Sequence, residues 1–425
     1  MEQLKSIQLA DNVNLYIIPC DIYKTTSISI FIPCELNDNY TYHALFPQVL
    51  KRGTVLHPDQ RSIEMLMQEL YGANFGTSVK KYGNKQILSF SMDIADSQYI
   101  QSHENLFSYA VNFLHELMFE PVTENGLFRH EYVLQEAFNL KQQIMSIINN
   151  KFEYSRKRLI EEMDSGKQYV KCEYGNEKEL DNIDPQRLFE VYKDVIDNNP
   201  VDIFVAGKID ENEIKSVFAD KFNFTNRKAL KPYSPDTVIP QSVRFVDEAM
   251  DVKQGKLNIG FRTNITAADP DYFKLLMFNA VFGGTVNSKL FMNVREKASL
   301  CYDVGSSVDK FNGILTVCTG IEPSNREKAY NIIMEQLSAI INGNISDFEY
   351  DSSIKDFRTR AKAIKDSAFA MINFHYGNHM AGLDVSPEEY TELIQNVKKE
   401  DIPEIASKIY EDTVYFLKNK GDADV

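Results

Sequence analysis

Thr26-Ser-Ile-Ser-Ile-Phe-Ile32 alternates polar and apolar side chains, and so does Gly255-Lys-Leu-Asn-Ile-Gly-Phe261, which begins 229 positions later. Alternation with period two marks a half-buried strand, because successive side chains of a strand point to opposite faces. Two further pairs follow in the same order. Ile87-Leu-Ser-Phe-Ser-Met-Asp-Ile94 is echoed 227 positions on by Ile314-Leu-Thr-Val-Cys-Thr-Gly-Ile321. Val201-Asp-Ile-Phe-Val-Ala-Gly-Lys-Ile-Asp210 is echoed 212 positions on by Thr413-Val-Tyr-Phe-Leu-Lys-Asn-Lys-Gly-Asp422. Any single echo is weak, since alternating strands are common. Their shared order carries the argument.

Helical stretches fall between the echoes in the same way. Residues 42–50 and 62–70 answer to 271–281 and 288–297, and residues 101–118 answer to 326–341. The sequence therefore predicts an α+β protein of two tandem homologous domains, each a mixed, mostly antiparallel β-sheet packed against α-helices. The run 223–241 holds Pro232, Pro235 and Pro240 among polar residues. Proline fixes φ and donates nothing to a ladder, so this run reads as an extended linker. The expected division is an N-terminal domain over 1–225, a linker over 226–241 and a C-terminal domain over 242–425. The charged stretch 139–179 carries Leu140, Ile144, Ile147 and Ile148 at helical spacing and reads as packing surface.

The chain has 425 residues, 46 Lys plus Arg against 61 Asp plus Glu, and a net charge of −15. That balance argues against nucleic acid, whose phosphates need clustered positive charge, and against anionic membrane surfaces. The five cysteines (Cys20, Cys34, Cys172, Cys301 and Cys318) form no paired motif and suit a reducing compartment. With no signal-like N-terminus and no apolar run of about 18 residues, a cytoplasmic chain is expected. Serine-nucleophile, phosphate-loop and dinucleotide fingerprints are absent from the sequence.

Gly53-Thr54, then Ser62-Ile-Glu-Met-Leu-Met-Gln-Glu-Leu-Tyr-Gly-Ala-Asn74, Val133-Leu-Gln-Glu136 and Phe282-Gly-Gly-Thr-Val-Asn-Ser-Lys-Leu-Phe-Met-Asn-Val-Arg-Glu-Lys-Ala-Ser-Leu-Cys-Tyr-Asp-Val304 together resemble the insulinase/pitrilysin peptidases, which include the mitochondrial processing peptidase. The resemblance spans the whole chain and implies the fold of the processing-peptidase group. Active members carry His-x-x-Glu-His shortly before the Gly-Thr. Two histidines four apart share one helix face and hold zinc, and the glutamate polarises the zinc-bound water. Here that stretch is Ala44-Leu-Phe-Pro-Gln48. Ala44 and Gln48 stand at the ligand positions and Pro47 at the general base. Alanine cannot ligate, glutamine ligates poorly, and proline has no side-chain acceptor. A proline at this point is also expected to make the helix start late or kink.

Glu136 matches the family's third zinc ligand, but one ligand cannot hold the metal, and read alone it is a helix-surface carboxylate. His43 is rotated about 100° from the ligand face and reads as an ordinary, partly exposed histidine. His375 and His379 have helical spacing, yet Gly377 and Gly382 weaken the helix there and no third ligand is near. His130-Glu131 and the pair His103 and His115 show no ligand spacing.

Arg295 and Tyr302 match an Arg and a Tyr that active relatives direct at the substrate from the half lacking zinc, which implies a substrate-binding role for both. A guanidinium and a phenol hydroxyl suit a developing oxyanion. Read without the resemblance, Arg295 forms a surface ion pair with Glu296 and Tyr302 packs at a strand start. The resemblance thus implies a non-catalytic bacterial homologue with no cofactor of its own, paired with a homologous chain that binds zinc. Unfolded peptide would be captured at a sheet edge expected within 83–94. Such pairing should leave exposed apolar patches on this chain alone. Two other readings stay open. One is a stand-alone or homodimeric peptide-binding scaffold, the other a peptidase using some other metal site.

Overall fold

The computed structural model describes residues 4–100, 105–222 and 224–422; His103 lies outside them. The chain forms two compact units that are not consecutive halves. One holds the described residues up to Met145, with Lys171–Tyr233 and Ile364–Tyr376; the other holds Ser146–Val170, Ser234–Ala363 and the described residues from Gly377 onward.

In the first unit, strands β1 (Lys5–Ala10), β2 (Val13–Pro19), β3 (Thr25–Glu35), β4 (Asn74–Tyr82) and β5 (Lys85–Ala95) precede a short hairpin of β6 (Thr123–Glu124) and β7 (Leu127–Phe128), and then β8 (Val201–Gly207). Six of them form a sheet in the order β1-β2-β8-β3-β5-β4, in which only β2 and β8 run parallel. Strands β9 (Arg244–Met250), β10 (Gly255–Arg262), β11 (Cys301–Asp309), β12 (Ile314–Ile321) and β13 (Tyr410–Asn419) form the second sheet in the order β11-β12-β10-β13-β9, with only β13 and β9 parallel. The two orders match strand for strand once β1 is set aside. The three sequence echoes occupy equivalent places: β3 with β10, β5 with β12, and β8 with β13.

The expected edge strand is corrected. β5 does not lie at an edge, because it pairs with β3 on one side, from Thr25 opposite Ala95 to Glu35 opposite Lys85, and with β4 on the other. The edge is β4. The two-residue turn Gly83-Asn84 joins them, with Gly83 at φ 56°, which a primed hairpin turn requires. β5 is buried along most of its length because it is flanked on both sides.

In the first unit, helix α1 (Tyr40–Leu50) buries Ala44, Leu45 and Phe46 in the core against Ile28, Ile30 and Ile32 of β3. It begins at Tyr40, so Pro47 sits inside it and the helix does not start late. Burial of its apolar face outweighs the hydrogen bond that proline forfeits. Helix α2 (Gln60–Glu69) starts at a capping box of Asp59 and Ser62. Helix α3 (Leu106–Phe119) and helix α4 (His130–Asn149) complete the layer over this face. The opposite face is covered within the same unit by the end of the helix Ala368–His379: Tyr376 stacks on Phe31 at 3.8 Å and meets Phe204 edge-on at 5.8 Å. That helix runs through Gly377, although glycine was expected to weaken it there.

In the second unit, Leu257, Ile259 and Phe261 of β10 face the core. Helix α5 (Lys151–Met163) covers the other face, where Leu159 and Met163 join Tyr415 and Leu417. A Cβ on Gly260 would lie 2.2 Å from the Met163 sulfur, so a larger residue there would force the Met163 side chain to move.

His43 is buried rather than partly exposed, with its Nδ1 3.2 Å from Gln86 Oε1, and burial lowers its pKa to about 4. In the unfolded chain histidine titrates near ~6.5, so below that pH the unfolded state binds the proton first. Its contribution to stability is therefore whole above pH ~6.5 and lost as pH falls towards ~4, about 3 kcal/mol in all. Urea midpoints at pH 7 and 5 should differ in this direction, and the His43→Leu chain should lose that part of the difference.

Candidate functional site

The zinc-motif positions lie on α1 in the first unit. Ala44 is fully buried and Pro47 is buried beside it, while Gln48 accepts a hydrogen bond from Lys51 Nζ at 2.7 Å. Glu136, on α4, is not a surface carboxylate: it is 4% exposed and accepts from Arg52 at 3.3 Å. Arg52 also donates to Gln135 at 2.8 Å and lies over the Tyr132 ring. Taking a carboxylate out of water costs several kcal/mol unless it is paired. The Arg52 guanidinium supplies that counter-charge. These residues do not fit zinc, since the one acidic ligand is engaged by a cation and the other two positions offer a methyl group and an amide. Among the described residues no group of three or more His, Cys, Asp or Glu side chains could hold a metal ion. His375 is buried and His379 exposed at the end of one helix. Elemental analysis of the purified chain is expected to find far less than one zinc per molecule, and a tightly held stoichiometric zinc would overturn this reading.

Arg52 was not singled out by the sequence, although it directly precedes Gly53-Thr54. That Gly-Thr has a structural role of its own. A Cβ on Gly53 would lie 2.6 Å from the Pro58 carbonyl oxygen. Thr54 is fully buried, accepts from the His57 amide at 2.9 Å and donates to Glu116 at 3.4 Å. His57 Nδ1 meets the same carboxylate at 3.3 Å. The loop after α1 therefore needs both residues whether or not metal is bound.

Arg295 and Tyr302 belong to the second unit, which brings them together. Phe291–Lys297 is a wide π-type helical segment, a form frequent at functional sites. It is followed by Ser299 at φ 52° and then by β11, whose second residue is Tyr302. The Arg295 guanidinium lies 4.4 Å from the Phe291 ring centroid and 5.4 Å from that of Tyr302. Its Nε is 3.6 Å from Glu296 Oε1, a loose surface pair worth little. Tyr302 is 83% exposed. A large aromatic left in water contributes little to its own fold, and together the two side chains present a cation and a hydroxyl to solvent. Tyr302 thus does not pack as a strand-start residue would. Gly283 is held tight behind the segment, where a Cβ would meet Ser306 Oγ at 2.7 Å.

No helix among the described residues is long and apolar enough to cross a membrane. The family model described as the Peptidase M16 inactive domain matches residues 182–357. A relative named probable inactive metalloprotease YmfF, from Bacillus subtilis strain 168, is 37% identical over 413 residues, covering 96% of each chain. YmxG of the same organism, named an uncharacterized zinc protease, is 26% identical over 182 residues, covering 42% of this chain and 43% of its own. The crystal structure of a conserved protein from Enterococcus faecalis V583 superposes with a TM-score of 0.91 at 30% identity, covering 100% of both chains. A peptidase M16 inactive domain from Pseudomonas fluorescens superposes with a TM-score of 0.80 at 14% identity, covering 99% of both.

Proposed function

The chain belongs to the M16 peptidase family as a member without the metal ligands, and from this premise we propose that it is the non-catalytic subunit of a two-chain peptide-processing complex. Its partner is a homologous chain with an intact zinc motif. That chain supplies the metal and the activated water, and this one supplies Arg295 and Tyr302 to hold the substrate carbonyl. Peptide adds to the free edge of β4 in extended form.

The observation that carries the proposal is the pairing of a half-buried Arg295 with an exposed Tyr302, in a chain whose own zinc positions are Ala44, Pro47 and Gln48. Neither side chain has a use in its own fold that explains an 83% exposed tyrosine under a guanidinium. A second observation supports a protein partner. The outward face of α4 exposes Leu134, Phe138 and Met145, large apolar side chains of the kind that partner surfaces cover. Mixing the chain with a zinc-binding homologue and assaying peptide cleavage tests the reading. Cleavage by the mixture well above that of the homologue alone is expected, and equal rates would favour a stand-alone or homodimeric peptide-binding scaffold.

A further inference from the structure

Strand β4 ends the first sheet, and beyond it no strand is paired among the described residues. Its side chains divide between two faces. Phe75 and Val79 enter the core beneath α3, where Phe75 meets the Phe113 ring at 5.0 Å. Gly76, Ser78, Lys80 and Tyr82 lie on the other face, where Lys80 and Tyr82 meet the segment 369–376 of the same unit. Lys80 Nζ donates to Asn373 Oδ1 at 2.6 Å and lies 5.9 Å from the Phe369 ring centroid, and the Tyr82 ring is 6.1 Å from that of Tyr376.

Lys80 is half-buried, and its hydrogen-bond partner is the neutral amide of Asn373. No carboxylate among the described residues comes within ion-pairing distance of it, although acidic residues outnumber basic ones in the chain by 61 to 46. Burial holds its ammonium below the ordinary lysine range. A cation withdrawn from water without a counter-charge is costly, and a ligand that brings a carboxylate recovers that cost. Nearby, Phe369 is 44% exposed, and the space a Cβ on Gly76 would enter is open. A strand laid along β4 sets its cross-strand side chains beside those of β4 on each face, with Cβ atoms about 4.5–5.5 Å apart.

We propose that the β4 edge selects extended peptides carrying an acidic side chain opposite Lys80. This rests on the reading that β4 is the peptide-receiving edge, and the test separates the two ideas. The probes are unstructured synthetic 12-residue peptides of Ser, Thr, Gln and Val bearing one central Asp, Asn or Lys. Binding to the full chain is read by fluorescence anisotropy.

The Asp peptide is expected to bind about tenfold more tightly than the Asn peptide, as a charge-assisted contact implies. That preference should vanish in Lys80→Met and Lys80→Gln and persist in Lys80→Arg, with binding of the Asn peptide little changed. Thr77→Pro is the control for the edge. In a two-residue hairpin closed by Tyr82 and Lys85, the Thr77 amide faces outward, so proline removes a donor from the edge without cutting the β4–β5 ladder. If Thr77→Pro abolishes binding but Asp and Asn peptides bind equally, or the preference survives Lys80→Met, the Lys80 inference is wrong and the edge reading stands. If Thr77→Pro leaves binding unchanged, or none of the peptides binds, both fail. Thermal melts of each variant exclude loss of folding.

Discussion

Replacing Arg295 with alanine is expected to lower kcat of the proposed complex between this chain and a zinc-binding homologue by about 100-fold, the usual cost of removing one donor aimed at a developing oxyanion. Tyr302→Phe, which removes only the hydroxyl and leaves the ring under the guanidinium, should cost about tenfold in the same assay. The geometry makes these variants clean. Arg295 is held by the rings of Phe291 and Tyr302 and by a loose contact to Glu296, not by a buried carboxylate. Tyr302 is largely in water. Substitutions at such positions usually stay within about 0.5 kcal/mol in stability, so thermal midpoints should not move while activity falls. A complex that keeps its full rate with both side chains removed would leave the pair without a catalytic use, and the scaffold reading would then be preferred. Partial loss confined to KM would instead place both groups in substrate binding alone.

Much of this was legible in the sequence because period and order survive where chemistry does not. The echoes of β3, β5 and β8 in β10, β12 and β13 follow one chain order, and the structure places each pair at equivalent positions of the two sheets. The loss of zinc chemistry was legible too, since Gly53-Thr54 fixes the register from which Ala44, Pro47 and Gln48 are counted. The survival of Gly53 follows from the 2.6 Å approach of the Pro58 carbonyl, a contact no motif announces. Three things were not readable. The alternation of β4 and β5 is similar, so periodicity alone could not tell the edge strand from the flanked one. Arg52 and Glu136 are 84 positions apart and carry no shared signal before the fold joins them. Helical periodicity in α5 shows that one face is apolar, but not which sheet it covers. The face belongs to the second sheet, although α5 precedes the linker.

That placement of α5 makes Arg262 a position where one substitution should cost much stability. Arg262 lies on β10 with its side chain 5% exposed. It donates through Nε to Asp412 and through another nitrogen to Asp164, both at 2.6 Å, and to the Met163 carbonyl at 3.1 Å. Burial alone would pull its pKa down, but the hydrogen bonds it donates to Asp164 and Asp412 outweigh that and hold the guanidinium protonated. Asp164 is the residue that ends α5, and it also accepts from the Tyr169 hydroxyl. One side chain thus fastens the end of α5 to two strands of the second sheet. Removing it in Arg262→Met leaves two buried carboxylates without their cation, a loss of about 3–5 kcal/mol. Urea unfolding should show that drop, and limited proteolysis should cut first within 146–170 as α5 loosens from Tyr415 and Leu417. The triple change Arg262→Met, Asp164→Asn and Asp412→Asn should recover most of the loss, because the cost lies in the stranded charges and not in the missing contact. A midpoint for Arg262→Met within about 1 kcal/mol of the parent would mean that the apolar contacts of Leu159 and Met163, not the ion cluster, hold α5 in place.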